Sequence, residues 1–314
     1  MNTINQKITE FSKKSKIIKG FNPFNSKNKF GCPTRLCCNV YVGCLHRCSY
    51  CYNWWMKDFE NARQKKNFEK NIEKDVELIF RLGLENLIIS ISNSTDAFQE
   101  PIESKYKHSL LLLSLLSKRN LKVLILTKNP SKLLEKEYLE TLKPDNTAIE
   151  VSIPFCEQRS DIEPFAPAPI ERIIAVKELI KSGLHNVSVR IDPIIPNIAN
   201  NKTGQSPNEI KELINSLSSI GVKHVCSKVL RLVGAINKAN PFFYSELKNF
   251  YKANGSWEGN CYQLKPEIRE DLLRPLYEAC LSKGINLSTC YEQVKFPGVF
   301  RCDLALEKLG VSKG

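Results

Sequence analysis

The sequence predicts an α/β protein with a largely parallel sheet, and two observations support this fold class. The 314 residues are 42% hydrophobic and 25% charged, a balance that allows one large domain or two small ones. From about residue 36 onward the chain repeats one order of elements: a segment with helical periodicity, a glycine, and a short apolar run. A glycine just past a helix favours the left-handed cap, and continuously apolar runs are typical of strands buried on both faces.

The elements follow one another in a regular order. The first strand is predicted over 39–42 and leads directly into a cysteine-rich loop, and helices are predicted over 67–81 and 169–182. Further strands are predicted over 87–92, 121–126, 148–153, 187–191, 224–230 and 285–289. These amount to about six βα units and a last strand, with right-handed crossovers between parallel neighbours. Periodicity leaves two closures open, a doubly wound sheet and a partial barrel. Both place functional groups at the carboxyl ends of the strands.

Three regions are expected along the chain. Residues 1–35 are predicted to be a basic, irregular N-terminal extension, 36–235 the core, and 236–314 C-terminal helices with the last strand. The lysine-rich start has no apolar signal-peptide region, and the apolar run at 110–116 is too short to cross a bilayer. We therefore expect a cytoplasmic protein without a membrane partner.

Charge and cysteine content indicate two kinds of partner. The net charge is +13, and the first 30 residues carry seven lysines against one glutamate. A nucleic acid, DNA or tRNA, is the partner that such a surplus favours, although a general lysine bias explains it too. Twelve cysteines in a chain of this size, without a leader, indicate metal ligation or catalysis rather than disulfides.

The most informative stretch is the loop that contains Cys44, Cys48 and Cys51 in a Cys-x3-Cys-x2-Cys pattern. Electron-transfer clusters usually take four cysteines, whereas three ligands leave one iron open for a substrate. The pattern therefore predicts a catalytic [4Fe–4S] cluster. Zinc, with His46 or a remote cysteine as fourth ligand, is the alternative, but zinc sites usually pair two-cysteine knuckles from separated places. Three unligated thiols are the remaining interpretation.

Residues 41–52 read Tyr-x-Gly-Cys-x-His-x-Cys-x-Tyr-Cys-Tyr, and this motif resembles the signature of radical S-adenosylmethionine proteins related to spore photoproduct lyase. The resemblance extends over roughly 36–235, through segments at 92–96, 127–130, 150–153, 163–167 and 190–196. It implies a partial (βα)6 TIM-type barrel with an N-terminal extension and a C-terminal helical insertion plus final strand.

The resemblance also implies a chemistry. S-adenosylmethionine would be cleaved reductively to methionine and a 5′-deoxyadenosyl radical, which abstracts a hydrogen atom from the substrate, with ferredoxin or flavodoxin as electron donor. By position, Tyr50 would lie near the adenine, and the segment with Ser94 and Asp96 near the methionine amino group. Lys128 and Ser152 would contact the carboxylate or ribose, and Arg190 is a further candidate for the carboxylate.

One departure separates the chain from that family. Spore photoproduct lyase returns a hydrogen atom from a cysteine in a Cys-Thr-Ser-Asp segment, where this chain has Asn93, so the resemblance does not imply thymine-dimer repair. Tyr50 and Tyr52 match tyrosines that assist the hydrogen transfer, and Cys290, at the final strand, is a candidate hydrogen-donating thiol. Spare cysteines are candidates for an auxiliary cluster or metal: Cys32, Cys37, Cys38, Cys290 and Cys302.

We therefore predict a radical enzyme that acts on a nucleic acid, by DNA lesion repair or RNA modification. Trp54 and Trp55, just after the cysteine loop, are candidates for stacking an extruded base. A radical enzyme for a peptide, protein or small metabolite is the alternative, and a zinc-containing nucleic-acid-binding module is a more distant one.

Overall fold

The computed structural model describes residues 4–21, 34–198, 204–290, 292 and 294–300. The strands in these ranges are β1 (Ile18–Phe21), β2 (Arg35–Cys38), β3 (Ile89–Ile91), β4 (Val123–Thr127), β5 (Thr147–Ser152), β6 (Val187–Ile194), β7 (His224–Val229), β8 (Leu232–Val233), β9 (Gly255–Glu258), β10 (Cys261–Leu264) and β11 (Asn286–Thr289). The helices are α1 (Ile4–Lys14), α2 (Phe68–Arg81), α3 (Ile102–Tyr106), α4 (His108–Lys118), α5 (Lys136–Leu139), α6 (Pro169–Lys181), α7 (Pro207–Ser219), α8 (Ile236–Ala239), α9 (Pro241–Asn254) and α10 (Pro266–Ser282). Two 3-10 turns cover Tyr52–Trp55 and Pro130–Leu134.

One large sheet organises the molecule, with the strand order β1-β2-β3-β4-β5-β6-β7-β11. Strands β2 to β7 are parallel neighbours in chain order, β11 adds in parallel to β7, and β1 pairs antiparallel with β2. A doubly wound sheet reverses its strand order at a switch point, whereas this order runs on without reversal. The predicted partial TIM-type barrel is confirmed, and the doubly wound alternative is wrong.

The two faces of the sheet differ in polarity. Ile125, Val151 and Val189 are fully buried on one face, in the core shared with the helices. Successive residues of a strand point to opposite faces, so the neighbouring polar residues point the other way. We call this second face the inner face; it carries Lys128, Glu150, Ser152 and Arg190.

Residues 4–21 fold into α1 and β1 rather than the irregular extension that the sequence predicts. Ile8 and Phe11 of α1 are buried. The Asp75 carboxylate on α2 accepts hydrogen bonds from the backbone N–H groups of Lys16, Ile17 and Ile18, at 2.6 to 3.1 Å. Because α1 has only a few buried apolar residues, its lysine-rich sequence gave no clear helical signal. Contacts with the rest of the fold stabilise this segment. The boundaries at 35 and 235 stay a prediction.

Two further differences concern the first strand and the C-terminal region. β2 ends at Cys38 because its pairing with β1 and β3 covers 35–38, and the predicted strand at 39–42 is instead a connection whose Val42 bridges to Arg63. The region from Ile236 onward contains the expected helices and final strand, and its strands β9 and β10 form a small antiparallel sheet with β8, which lies just before this region. Among the described helices, none combines the length and apolarity needed to span a membrane.

Candidate metal centre

The cysteine loop leaves the carboxyl end of β2 and is held by backbone hydrogen bonds. Gly43 has a φ of +82°, and a Cβ at this position would lie 2.6 Å from the Phe59 carbonyl oxygen, so the turn into the loop requires glycine. The Cys44 N–H donates to the same Phe59 carbonyl at 2.8 Å, and the Cys51 N–H donates to the Cys48 carbonyl at 3.1 Å. These bonds give the loop a fixed shape.

The three thiols of the loop occupy a desolvated space. Burial is the main cause that raises the pKa of Cys44, Cys48 and Cys51 to about 12, and charge on one neighbouring thiol raises each value further. Backbone N–H groups of His46 and Asp96 donate to the Cys44 sulfur and partly offset the rise. Thiolates in such a place need a positive partner, which a metal centre supplies.

This donor set fits an iron–sulfur cluster. Soft thiolates select iron–sulfur centres or zinc, and hydrogen bonds to the sulfurs are among the features that tune such clusters. Within the described ranges, no group of three His, Cys, Asp or Glu side chains is placed to hold a single metal ion. In a cluster each of the three cysteines would bind a different iron atom.

His46 and Asp96 tie the loop to the neighbouring strands. His46 is buried, with Nε2 3.2 Å from Asp96 Oδ2 and Nδ1 3.2 Å from the Phe165 carbonyl. Asp96 also accepts hydrogen bonds from the Thr127 hydroxyl and the Lys128 backbone N–H, at 3.0 and 2.7 Å. Burial raises the pKa of Asp96, but the bonds from His46 and the backbone outweigh it, and the pKa lies below its usual value. Asp96 is therefore a charged anchor for three segments.

Ser94 and Tyr52 lie together at the carboxyl end of β3. The Tyr52 hydroxyl donates to the Asn93 carbonyl at 3.0 Å and lies 3.5 Å from the Ser94 hydroxyl. The Ser94 backbone N–H donates to Asn39 at 2.9 Å. Their predicted roles, and that of Asp96 toward the methionine amino group, stay predictions.

A buried charge network joins Tyr50 to the ends of β4 and β5. The Glu163 carboxylate accepts hydrogen bonds from the Tyr50 hydroxyl and, at 2.7 Å, from Arg172 on α6. Lys128 donates to the Ser152 hydroxyl at 3.0 Å, and its ammonium lies 3.8 Å from Glu163. Burial raises the pKa of Glu163, but the charges of Arg172 and Lys128 outweigh it and hold the pKa below its usual value. The predicted residues Tyr50, Lys128 and Ser152 thus meet in one cluster.

Arg190 lies on the inner face between two carboxylates. It donates to Glu150 and to Asp192, each at 2.9 Å. Cys290, just after β11, is half-buried, and its backbone N–H donates to the Ser227 carbonyl at 2.9 Å. A negative charge on Cys290 would raise the pKa of Arg190, so the two groups belong to the same region.

The predicted auxiliary cysteines are only partly described. Cys37 and Cys38 are consecutive on β2, so their side chains point to opposite faces of the sheet. Cys32 and Cys302 lie outside the described residues. The auxiliary site stays a prediction.

Sequence reasoning missed the partners of the predicted residues. Glu163 and Arg172 are buried, and Arg172 stands among apolar residues in a helix, a signal that a charge has an internal partner. Glu150 and Asp192 stand in predicted strand segments, and neither carries a local signal that it pairs with Arg190. Trp54 donates its indole N–H to the Cys48 carbonyl at 3.0 Å, while Trp55 is exposed.

Comparison with solved structures identifies the fold. Spore photoproduct lyase complexed with dinucleoside spore photoproduct superposes with a TM-score of 0.59 and 15% sequence identity, over 83% of this chain and 74% of that chain. The chain has the fold of spore photoproduct lyase. Streptococcus suis SuiB bound to precursor peptide SuiA also shares this spore photoproduct lyase-like fold, with a TM-score of 0.50 and 18% identity over 84% of this chain and 51% of that chain.

Sequence comparison finds relatives that are described as uncharacterized proteins. The uncharacterized protein MJ0683 of Methanocaldococcus jannaschii is 29% identical over 160 residues, which are 51% of this chain and 60% of that protein. The uncharacterized protein Rv2578c of Mycobacterium tuberculosis is 21% identical over 245 residues, which are 72% of this chain and 69% of that protein. No family model matches the chain.

Proposed function

We propose that this chain is a radical S-adenosylmethionine enzyme in which Cys44, Cys48 and Cys51 hold a [4Fe–4S] cluster. The observation that carries the proposal is that three desolvated thiols lie on one short loop at the carboxyl end of β2. In a TIM-type barrel this edge of the sheet is where active sites lie. The spore photoproduct lyase-like fold supports the same assignment.

When bound, the cluster would supply the electron that cleaves S-adenosylmethionine and so generates the 5′-deoxyadenosyl radical. The chain's own residues would bind and orient the cosubstrate. Lys128 and Ser152, joined by a 3.0 Å hydrogen bond, present an ammonium and a hydroxyl that match a carboxylate and a ribose. Tyr50 is held by Glu163, so its ring is fixed beside the loop for contact with the adenine. His46 and Asp96 position Cys44.

We propose a nucleic acid as substrate and a ferredoxin or flavodoxin as electron donor, in a cytoplasmic setting. The net charge of +13 favours a polyanionic partner, and the solved spore photoproduct lyase holds a dinucleoside. Trp55, exposed directly after the cysteine loop, offers a ring on which a base can stack. A peptide substrate is the second candidate, because SuiB has the same fold and binds a precursor peptide.

The test is anaerobic reconstitution with iron and sulfide, followed by reduction with S-adenosylmethionine and an assay for 5′-deoxyadenosine. The intact chain should form the nucleoside, and Cys48→Ala should form none. Cys280→Ala is the matched control, because Cys280 is a buried thiol on α10 outside the loop. A chain that takes up zinc but no cluster, or a Cys48→Ala variant that retains full activity, contradicts the proposal.

A further inference from the structure

Lys228 is a cation of the inner face that the proposed function does not use. It lies near the carboxyl end of β7, and the register pairs Cys226 of this strand with Arg190. Alternation along β7 therefore places Lys228 on the same face as Arg190. The neighbouring strand β6 carries a register shift between Ile191 and Ile194, an irregularity of the kind that re-aims side chains next to active sites.

The ammonium of Lys228 is charged, and no described residue forms a hydrogen bond or salt bridge with it. The charge of Asp192 is the main cause that raises the pKa of Lys228 above its usual value, so it stays protonated at neutral pH. The Lys228 side chain is half-buried, and within the described parts of the chain its ammonium makes no hydrogen bond or salt bridge. A lysine carries three donors, and withdrawing them from water without an acceptor costs free energy.

The neighbouring cations are already engaged. Arg190 donates to Glu150 and Asp192, and Lys128 donates to Ser152 while lying 3.8 Å from Glu163. Within the described ranges, Lys228 therefore differs from both in that its three donors bond to no protein acceptor. Cys290 lies close enough for its charge to raise the pKa of Lys228, which places the thiol beside the same space.

We propose that Lys228 binds an anionic phosphate oxygen of the substrate on the inner face. The inference rests on the proposed function and deepens it, because it assigns a residue that recognises the nucleic-acid backbone within the barrel. An ammonium is a compact point charge that suits phosphate oxygens, which stay ionised at neutral pH. A substrate held there would lie next to Cys290.

The test compares binding of the dinucleotide TpT with binding of its uncharged methylphosphonate analogue, by titration calorimetry on the full chain. The intact protein should bind TpT about tenfold more tightly or better, as expected for a charge-assisted hydrogen bond. Lys228→Gln should lose this preference, and Lys228→Arg should keep most of it. Lys211→Gln, at an exposed lysine on α7, is the matched control and should leave the preference unchanged.

Several outcomes overturn the inference. They are equal binding of the two ligands by the intact protein, a preference that survives in folded Lys228→Gln, and a Lys228-dependent preference for N-acetylglycine in place of TpT. The same preparations are assayed for 5′-deoxyadenosine after reconstitution. Nucleoside formation without a phosphate preference removes the inference alone, whereas a Lys228-dependent preference without nucleoside formation removes the radical mechanism alone.

Discussion

Neutralising Glu163 should destabilise the protein far more than the same change at an exposed ion pair. Glu163 and Arg172 are buried side chains, at 3% and 0% exposure, and Lys128 lies 3.8 Å from the same carboxylate. Glu163→Gln keeps the shape and an acceptor oxygen for Tyr50, but leaves two cations facing a neutral group. Breaking a buried pair from one side costs about 3–5 kcal/mol, and the surviving hydrogen bonds favour the lower end, about 3 kcal/mol.

The free energy of unfolding is measured by urea denaturation at pH 7, beside Glu137→Gln. Glu137 pairs with Lys107 at 2.6 Å, but both side chains are about half exposed, so its loss should cost below about 0.5 kcal/mol. In thermal unfolding, Glu163→Gln should lower Tm by roughly 6 °C, at about 2 °C per kcal/mol for a chain of this size. A loss for Glu163→Gln below about 1 kcal/mol would refute the reasoning that the network is desolvated and charge-balanced.

Three further predictions follow from the same contacts. Because the folded pKa of Glu163 is depressed, its stabilisation is present above the unfolded value of about 4.3 and lost as pH falls. The difference in free energy of unfolding between the intact protein and Glu163→Gln, measured by urea denaturation, should therefore be constant from about pH 8 to 5 and shrink below about pH 4. A difference that does not shrink at low pH contradicts this prediction. Tyr50→Phe should cost about 1–2 kcal/mol because a buried acceptor loses its donor, while Tyr52→Phe, at an exposed hydroxyl, should cost below about 0.5 kcal/mol in the same assay. Asp75→Ala should accelerate hydrogen exchange of the backbone amides at 16–18, with α4 amides as the unchanged internal control; unaltered exchange at 16–18 would show that the carboxylate does not hold them.

Local sequence patterns predicted the order of the helices and strands. A helix, a glycine and an apolar strand are set by neighbours in sequence, and the strand ends at Lys128 and Ser152 could be placed on one edge from topology alone. The contact between these two side chains confirms that placement. Deciding between a barrel and a doubly wound sheet needed the strand order, which periodicity does not contain.

What the sequence did not predict depends on distant partners. Glu163 and Arg172 are stable in the interior only because each neutralises the other, and neither has a local signal of that pairing beyond a charge in an apolar segment. In the same way, α1 has few apolar residues, and the structure that follows it depends on hydrogen bonds to Asp75, 57 to 59 positions away.

The antiparallel strand β1 has a consequence for how a substrate can approach. Because β1 pairs with β2, the outer edge of β2 is not free to pair with β11, and the sheet remains an arc with two ends. A closed barrel admits a ligand only along its axis, through the mouth. Among the described strands the sheet is not closed into a ring, so threading an end is not a requirement for a polymer ligand.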